Sequence, residues 1–191
     1  MFRFEEADPR YLVVYDSDAV ADITNYQAWL RRWVARLEHG ERFGVIWVSQ
    51  EHDHEDDDHH HERDVAFEEA YTKLVNDFRR EYKHLTEQHT VGFARVLPLS
   101  WIDAQRQDNP NYLASASDST NRMARYMWGI AGALFGNEAE ARAWLEAQFD
   151  APTPPAATPP SQAATVSSMP TAQRIGLFYG STTGVTEIIA E

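Results

Sequence analysis

The amino-acid sequence predicts an α/β domain, in which a four-stranded sheet carries helices. Between residues 11 and 149, the spacing of apolar residues changes repeatedly from a period of two, typical of strands, to a period of about 3.6, typical of helices. The strand segments are rich in Val, Ile and aromatic side chains, as buried strands are. Such alternation indicates one sheet covered by helices. With 191 residues, the chain can hold one full domain and a shorter second segment.

The first half of the alternation contains two predicted strands and one helix. Residues 11–15 are a run of β-forming side chains. Thr24 and Gln27 have the spacing of a capping box, which predicts a helix start there, and Gly40 is the stop signal of that helix. Residues 43–48 form a continuous apolar run, which is typical of a strand covered on both faces.

The longest predicted helix opens the second half. Apolar residues keep helical spacing over residues 64–88, and residues 91–97 are predicted to form the third strand, which Pro98 ends. The Asp-Asn-Pro-Asn turn signal at 108–111 makes residues 99–118 a predicted loop.

Three further elements complete the predicted domain. They are a short helix over 119–128, a fourth strand over 130–135 and a final helix capped by Asn137 and Glu140. Most tryptophans lie at periodic apolar positions and are predicted to pack in the core, whereas two are placed less regularly and are candidates for lining a pocket. The core set is Trp29, Trp33, Trp47 and Trp144, and the pocket set is Trp101 and Trp128.

Composition excludes several functions. The chain has no cysteine, which excludes a disulfide scaffold, an iron–sulfur cluster, a thiolate metal site and a cysteine nucleophile. The formal charge is −13, whereas a protein that binds duplex DNA needs basic side chains against the phosphates, so nucleic acid is not an expected partner. No apolar run approaches the roughly 18 residues of a membrane span, and no secretory signal is recognisable. We therefore expect a cytoplasmic protein.

Residues 51–64 form an acidic, histidine-rich segment. The segment has a net charge of −7 and contains five of the eight histidines. Imidazole and carboxylate ligands suit Zn²⁺, Ni²⁺, Co²⁺ or Cu²⁺, so the segment is a candidate divalent-metal site. The alternative is a solvated, self-repelling loop without a specific site. The candidate metal ligands are His52, His54, His59, His60 and His61.

A second segment with chemical meaning lies near the C-terminal end of the sequence. Residues 150–173 are rich in Pro and Ala, lack an apolar period and are predicted to form a linker. Residues 174–180 resume as a buried strand, followed by a Ser/Thr-rich turn and the start of a helix. The amides of such a turn and the helix dipole favour an anion. No lysine follows the turn, so the pattern is not that of a nucleotide P-loop.

Residues 174–191 resemble the opening of a flavodoxin domain, which begins with an apolar strand, a Ser/Thr-x-Thr-Gly-Asn-Thr phosphate loop and a helix. The resemblance implies FMN as cofactor and an electron-transfer role with a redox partner protein. Val185 stands where the family usually has asparagine, which keeps the backbone donor and loses the side-chain one. The resemblance implies phosphate contacts from the hydroxyls of Ser181, Thr183 and Thr186 and from the backbone amides of Thr182, Gly184 and Val185.

The resemblance to flavodoxin covers only 18 residues. A doubly wound sheet needs further strands, and the flavin ring needs loops at the switch point of that sheet. We therefore expect this chain to be a piece of a longer protein or the product of an early stop. We also expect these 191 residues alone not to bind FMN tightly.

Residues from about 8 to 149 resemble STAS-like (SpoIIAA-like) domains. The features that carry the resemblance are the helix ending at Gly40, the strand over 44–48, the strand over 91–97 and the Ala-rich helix that contains Trp144. The resemblance implies a four-stranded sheet and a binding or regulatory role in residues 1–149, since such domains bind a partner or a small ligand more often than they are enzymes. The segment 51–64 departs from the family pattern and puts any standard partner surface near it in doubt.

The sequence thus predicts an FMN-binding electron carrier joined by a linker to a partner-binding domain. No Gly-x-Ser-x-Gly elbow, catalytic triad or pair of carboxylates is recognisable, so no catalytic residue is predicted. Two alternatives remain open: a regulatory protein-interaction module without redox chemistry, and a metal-binding protein built on residues 51–64.

Overall fold

The computed structural model describes residues 2–16, 22–50 and 65–151. The chain divides into two compact units, Met1–Ala156 and Ala157–Glu191, and every residue of the second unit lies outside the described residues. Three predictions fall wholly or almost wholly outside them too: the histidine-rich segment, the linker and the flavodoxin-like motif.

The described part of the first unit forms one mixed sheet with helices. Its strand order is β1-β2-β3-β4-β5; β1 runs antiparallel to β2, and the remaining neighbours are parallel. The α/β class is therefore confirmed. In chain order the elements are β1 (Arg3–Glu5), β2 (Tyr11–Asp16), α1 (Ile23–His39), β3 (Phe43–Ser49), α2 (Val65–His89), β4 (Thr90–Val96), α3 (Leu99–Asp108), α4 (Tyr112–Trp128), β5 (Gly132–Phe135) and α5 (Glu138–Asp150).

The described sheet has five strands, so the prediction of four was wrong in number. The four predicted strands are present, and the additional one is β1, which has three residues. Arg3 pairs with Tyr15 and Glu5 pairs with Val13. Three residues are too few to display a period of two, which explains why β1 gave no signal in the sequence.

The predicted loop over residues 99–118 was also wrong. Residues Leu99–Asp108 form α3, and α4 begins at Tyr112, seven residues before the predicted helix start. The Asn-Pro-Asn turn is real but short: the Tyr112 amide donates to the Asn109 carbonyl at 2.9 Å, which closes the turn between the two helices.

Asp22, rather than Thr24, caps the N-terminus of α1. Its side chain accepts a hydrogen bond from the Thr24 amide at 2.8 Å and another from the Thr24 hydroxyl at 2.7 Å. The prediction that Gly40 ends this helix is confirmed, since Gly40 has a φ of 75° at the C-cap. At α5 the predicted cap is also confirmed, because the Asn137 side chain accepts from the Glu140 amide at 2.9 Å.

The Asp22 cap predicts a pH effect on stability. The hydrogen bonds from Thr24 lower the pKa of Asp22, so the carboxylate stabilises the folded state above its ordinary pKa of about 3.9. This contribution is lost as the pH falls through the lowered pKa. We expect Asp22→Asn, which keeps the cap, to reduce the loss of stability between pH 5 and pH 2, measured by urea unfolding at each pH. Equal slopes in the two proteins would contradict the prediction.

Two hydrophobic layers cover the sheet. The crossover connections between parallel strands have the same hand, so successive connections place their helices on the same face of the sheet. On the first face, alternate strand residues such as Val45 and Phe93 pack with α1, α2 and α4. On the second face, the other alternate residues, such as Ile46 and Ala94, pack against α5. One helix therefore covers the second face in the described part.

Two strand glycines set the position of α5 on the second face. A Cβ at Gly44 would lie 2.8 Å from Leu145 Cδ1, and a Cβ at Gly92 would lie 2.9 Å from the Trp144 ring. Leu145 is fully buried in this contact. The helix therefore approaches the sheet closely because β3 and β4 have no side chain at these points.

Tryptophans dominate the first layer. Trp29, Trp33 and Trp47 are buried, as predicted. Trp128, which was predicted as a candidate for lining a pocket, is instead buried in the same layer. The Trp33 indole donates to the Thr90 hydroxyl at 3.1 Å. The indole nitrogens of Trp29 and Trp128 are buried without a hydrogen-bond partner among the described residues, and these two rings lie at 82° with centroids 5.9 Å apart.

Candidate functional site

The carboxyl ends of the parallel strands lie at one edge of the sheet, which is where α/β proteins bind ligands. In most such sheets a crevice opens where the strand order reverses, but β2 to β5 follow one another without reversal. An open cleft with a volume of about 420 Å³ lies at this edge, in the part of the chain that the structure describes. The cleft is lined by the ends of β3, β4 and β5 and by the start of α3, including Ser49, Gln50, Pro98, Ser100 and Gly136.

Arg95 is a charged residue that β4 carries to this edge. It lies one residue before the end of β4, with Trp47 of β3 and Leu134 of β5 as its cross-strand neighbours. By the alternation of β4, its side chain lies on the same face as Phe93, beneath the layer of α1, α2 and α4. The side chain is partly buried.

Arg95 has no hydrogen-bond or ion-pair partner among the described residues. Other partly buried arginines there do have partners. Arg142 pairs with Glu138 at 2.6 Å, and the Arg79 guanidinium lies 4.4 Å from the Tyr126 ring centroid. Arg36 and Arg42 donate to backbone carbonyls at 2.9 and 3.0 Å. Arg95 is therefore an exception in this domain.

Three tyrosines and one carboxylate lie near enough to Arg95 to act on its charge. Tyr26 of α1 stacks on Trp47, with ring centroids 5.8 Å apart at 21°, and Tyr71 of α2 meets Tyr26 edge-on at 4.9 Å. Tyr112 begins α4, and Asp16 ends β2. All three phenols and the Asp16 carboxylate interact electrostatically with Arg95. Four elements thus contribute a polar group to one small region.

Burial decides the ionisation of this region. Burial raises the pKa of Tyr26 and Tyr71, so their hydroxyls are neutral at physiological pH. Desolvation lowers the pKa of Arg95 and outweighs the opposing attractions of Tyr112 and Asp16. Because an arginine keeps its proton in proteins, the site holds a cation that has lost water without gaining a paired anion among the described residues.

A second polar cluster, under α5, behaves differently. Tyr15 donates to Glu5 and to Glu138, both at 3.0 Å, while Arg142 also reaches Glu5 at 3.1 Å. Burial first, and then the bonds to these carboxylates, raise the pKa of Tyr15 to about 12. Each member has a partner, so this cluster ties β1, β2 and α5 together and offers no open position to a ligand.

The residues predicted to bind FMN or metal are not in the described part. The phosphate loop Ser181–Thr186 and the histidines of 51–64 lie outside it, so both remain predictions. Within the described ranges, no group of three or more His, Asp or Glu residues is arranged to hold a metal ion. Trp101, the other predicted pocket residue, packs partly buried beside Leu97, Ile102 and Leu134.

No protein-family model, curated protein or solved structure matches this chain. Among the described helices, none combines the length and the apolar character that a membrane crossing requires.

Sequence reasoning missed Arg95, although a signal for it exists. Residues 91–97 were assigned to a strand covered by helices, and Arg95 is the one charged residue within that run. A buried charge is costly unless it is paired or functional, so an arginine in a covered strand is a reason to look for an anion.

Proposed function

We propose that this chain joins a binding domain to an FMN-dependent electron carrier. In this proposal residues 174–191 provide the phosphate loop of a flavodoxin-like fold, and FMN supplies the electron-transfer chemistry when bound. The support is the agreement of strand, hydroxyl-rich turn and helix start in the sequence. No enzymatic activity is assigned to the first domain.

The first domain is the recognition part of the proposal. The observation that carries this assignment is the partly buried Arg95, which lies at the carboxyl edge of the sheet without a partner among the described residues. The sequence resemblance to STAS-like domains supports partner binding in the cytoplasm. A Pro/Ala-rich linker raises the effective concentration of the electron carrier at the bound partner.

The test of the FMN assignment is to express the open reading frame that contains these residues to its natural end. We expect the purified protein to carry a flavin absorption spectrum through gel filtration. A hydrogen bond to a charged group contributes about 1.5–3 kcal/mol, so we expect Thr183→Ala to weaken FMN binding roughly 10-fold to 100-fold, measured by flavin fluorescence.

Thr165→Ala is the matched control, because it removes a hydroxyl from the linker segment rather than from the turn. It is expected to leave the affinity for FMN unchanged. A colourless protein that does not take up added FMN would overturn the electron-carrier assignment and favour the regulatory module without redox chemistry.

The metal-binding alternative rests on the five histidines of residues 51–64. It is tested by calorimetry with Zn²⁺ on the chain with and without these residues. Saturable binding with integer stoichiometry that disappears with the segment supports a specific site. Weak, unsaturated heat signals support the solvated loop.

A further inference from the structure

We propose that Arg95 forms the centre of a binding site for a small oxyanion, a carboxylate or a phosphate, at the carboxyl edge of the sheet. The inference rests only on the binding role proposed for the first domain. Its test requires no flavin, so it can fail or succeed independently of the electron-carrier assignment.

The guanidinium has the donors that such a ligand needs. Its planar fork presents parallel N–H groups that match the two oxygens of a carboxylate or phosphate. In the described residues no oxygen pairs with this fork, whereas the four other partly buried arginines named above have found partners. The fork is thus available to a ligand.

The surroundings favour an anion of limited size. The hydroxyls of Tyr26, Tyr71 and Tyr112, which interact electrostatically with Arg95, are additional hydrogen-bond donors. The stacked rings of Tyr26 and Trp47 bound the region on the side of α1 and give it an apolar wall. Asp16 opposes a large negative charge, since its carboxylate belongs to the same region. These features together fit one carboxylate or phosphate group better than a polyanion.

The lack of a paired anion within the part of the chain that the structure describes also predicts an unusual effect of mutation. An unpaired cation that has lost water destabilises the folded state. We expect Arg95→Gln to raise the melting temperature in anion-free buffer, whereas removal of an arginine with a purely structural role would lower it.

The binding test compares sodium phosphate and sodium acetate with sodium chloride at constant ionic strength. We expect the melting temperature, followed by circular dichroism, to rise with at least one oxyanion and to saturate. A ligand at ten times its Kd raises it by about 3–5 °C in a domain of this size. Saturation by phosphate alone identifies a phosphoryl ligand, and saturation by acetate identifies a carboxylate.

Three variants locate the effect. Arg95→Gln is expected to abolish the saturable rise, and Arg95→Lys, which keeps the charge without the fork, to weaken it at least tenfold. Arg106→Gln is the control, since Arg106 is exposed and pairs with Asp103 at 3.4 Å. It is expected to retain the full response.

A measurement on the unmutated protein covers the case in which a variant fails to fold. The side-chain Nε–Hε signal of Arg95, assigned from its absence in Arg95→Lys or by sequential methods, is expected to shift on titration with the same anions. The proposal is overturned if Arg95→Gln responds as the unmutated protein does, if neither anion produces a saturable change, or if the titration shifts other arginines and not Arg95.

Discussion

Leu145→Ala is expected to lower the free energy of unfolding by about 2–5 kcal/mol, as for other fully buried leucines. The side chain lies between α5 and the sheet, over the two strand glycines. Because α5 is the one described helix on the second face, its loosening affects Ile46 and Ala94 as well. The measurement is urea unfolding followed by tryptophan fluorescence.

A double-mutant cycle with Gly44 tests the reason for this loss. Gly44→Ala alone brings a Cβ within 2.8 Å of Leu145 Cδ1 and is expected to cost about 1–3 kcal/mol. In the Leu145→Ala background the same methyl group enters vacated space, so its cost is expected to fall, with a coupling of about 0.5–3 kcal/mol.

Gly132→Ala is the control for this cycle. Its Cβ would meet Ala124 and the Thr120 carbonyl on the opposite face, at 2.7 and 2.9 Å. The cost of this substitution is therefore expected to add to that of Leu145→Ala. If the costs of Gly44→Ala and Leu145→Ala are additive as well, the packing of α5 on the sheet does not depend on the contact between Gly44 and Leu145.

Trp33→Phe is expected to destabilise the domain more than Trp128→Phe does. Both substitutions remove the same atoms from buried positions. Within the described ranges, only Trp33 loses a hydrogen bond, the 3.1 Å bond to the Thr90 hydroxyl, because the Trp128 nitrogen has no partner there. We expect a difference of about 1 kcal/mol, the typical net value of such a bond, together with the cost of the unpaired Thr90 hydroxyl.

Thr90→Val provides the matched background for this comparison. With the acceptor removed, Trp33→Phe and Trp128→Phe are expected to have similar costs in urea unfolding. If the difference persists in Thr90→Val, packing rather than hydrogen bonding distinguishes the two tryptophans.

The sequence was most informative where elements are long and periodic. The strand over 43–48 and the helix over 64–88 were predicted closely, because a continuous apolar run and a repeated helical spacing are strong signals. Helix α3 was missed because Ile102 is the one buried residue in its ten, so no apolar stripe marks it. The helical signal of these ten residues is weaker than the loop signals on either side, which are Pro98 before them and the Asn-Pro-Asn turn after them.

The candidate site was harder to predict than the fold. Arg95 is a candidate binding residue because of its environment, which includes Asp16, Tyr26, Tyr71 and Tyr112. These residues are separated from Arg95 by 17 to 79 residues in the chain, and they come together only after the sheet has formed. A local sequence pattern does not predict that residues so far apart in the chain will come together. The two sites that local patterns did indicate lie outside the described residues and remain predictions.

The sequential strand order has a consequence for the growing polypeptide. Each parallel strand pairs with the strand made just before it, so the sheet can extend at one edge as the chain leaves the ribosome, without inserting a strand between two others. Among the described elements, the helix that covers the second face, Glu138–Asp150, is made after all five strands. During synthesis the second face is therefore without its helix until the end of the domain emerges, and this interval is the one in which chaperone binding is expected to matter most.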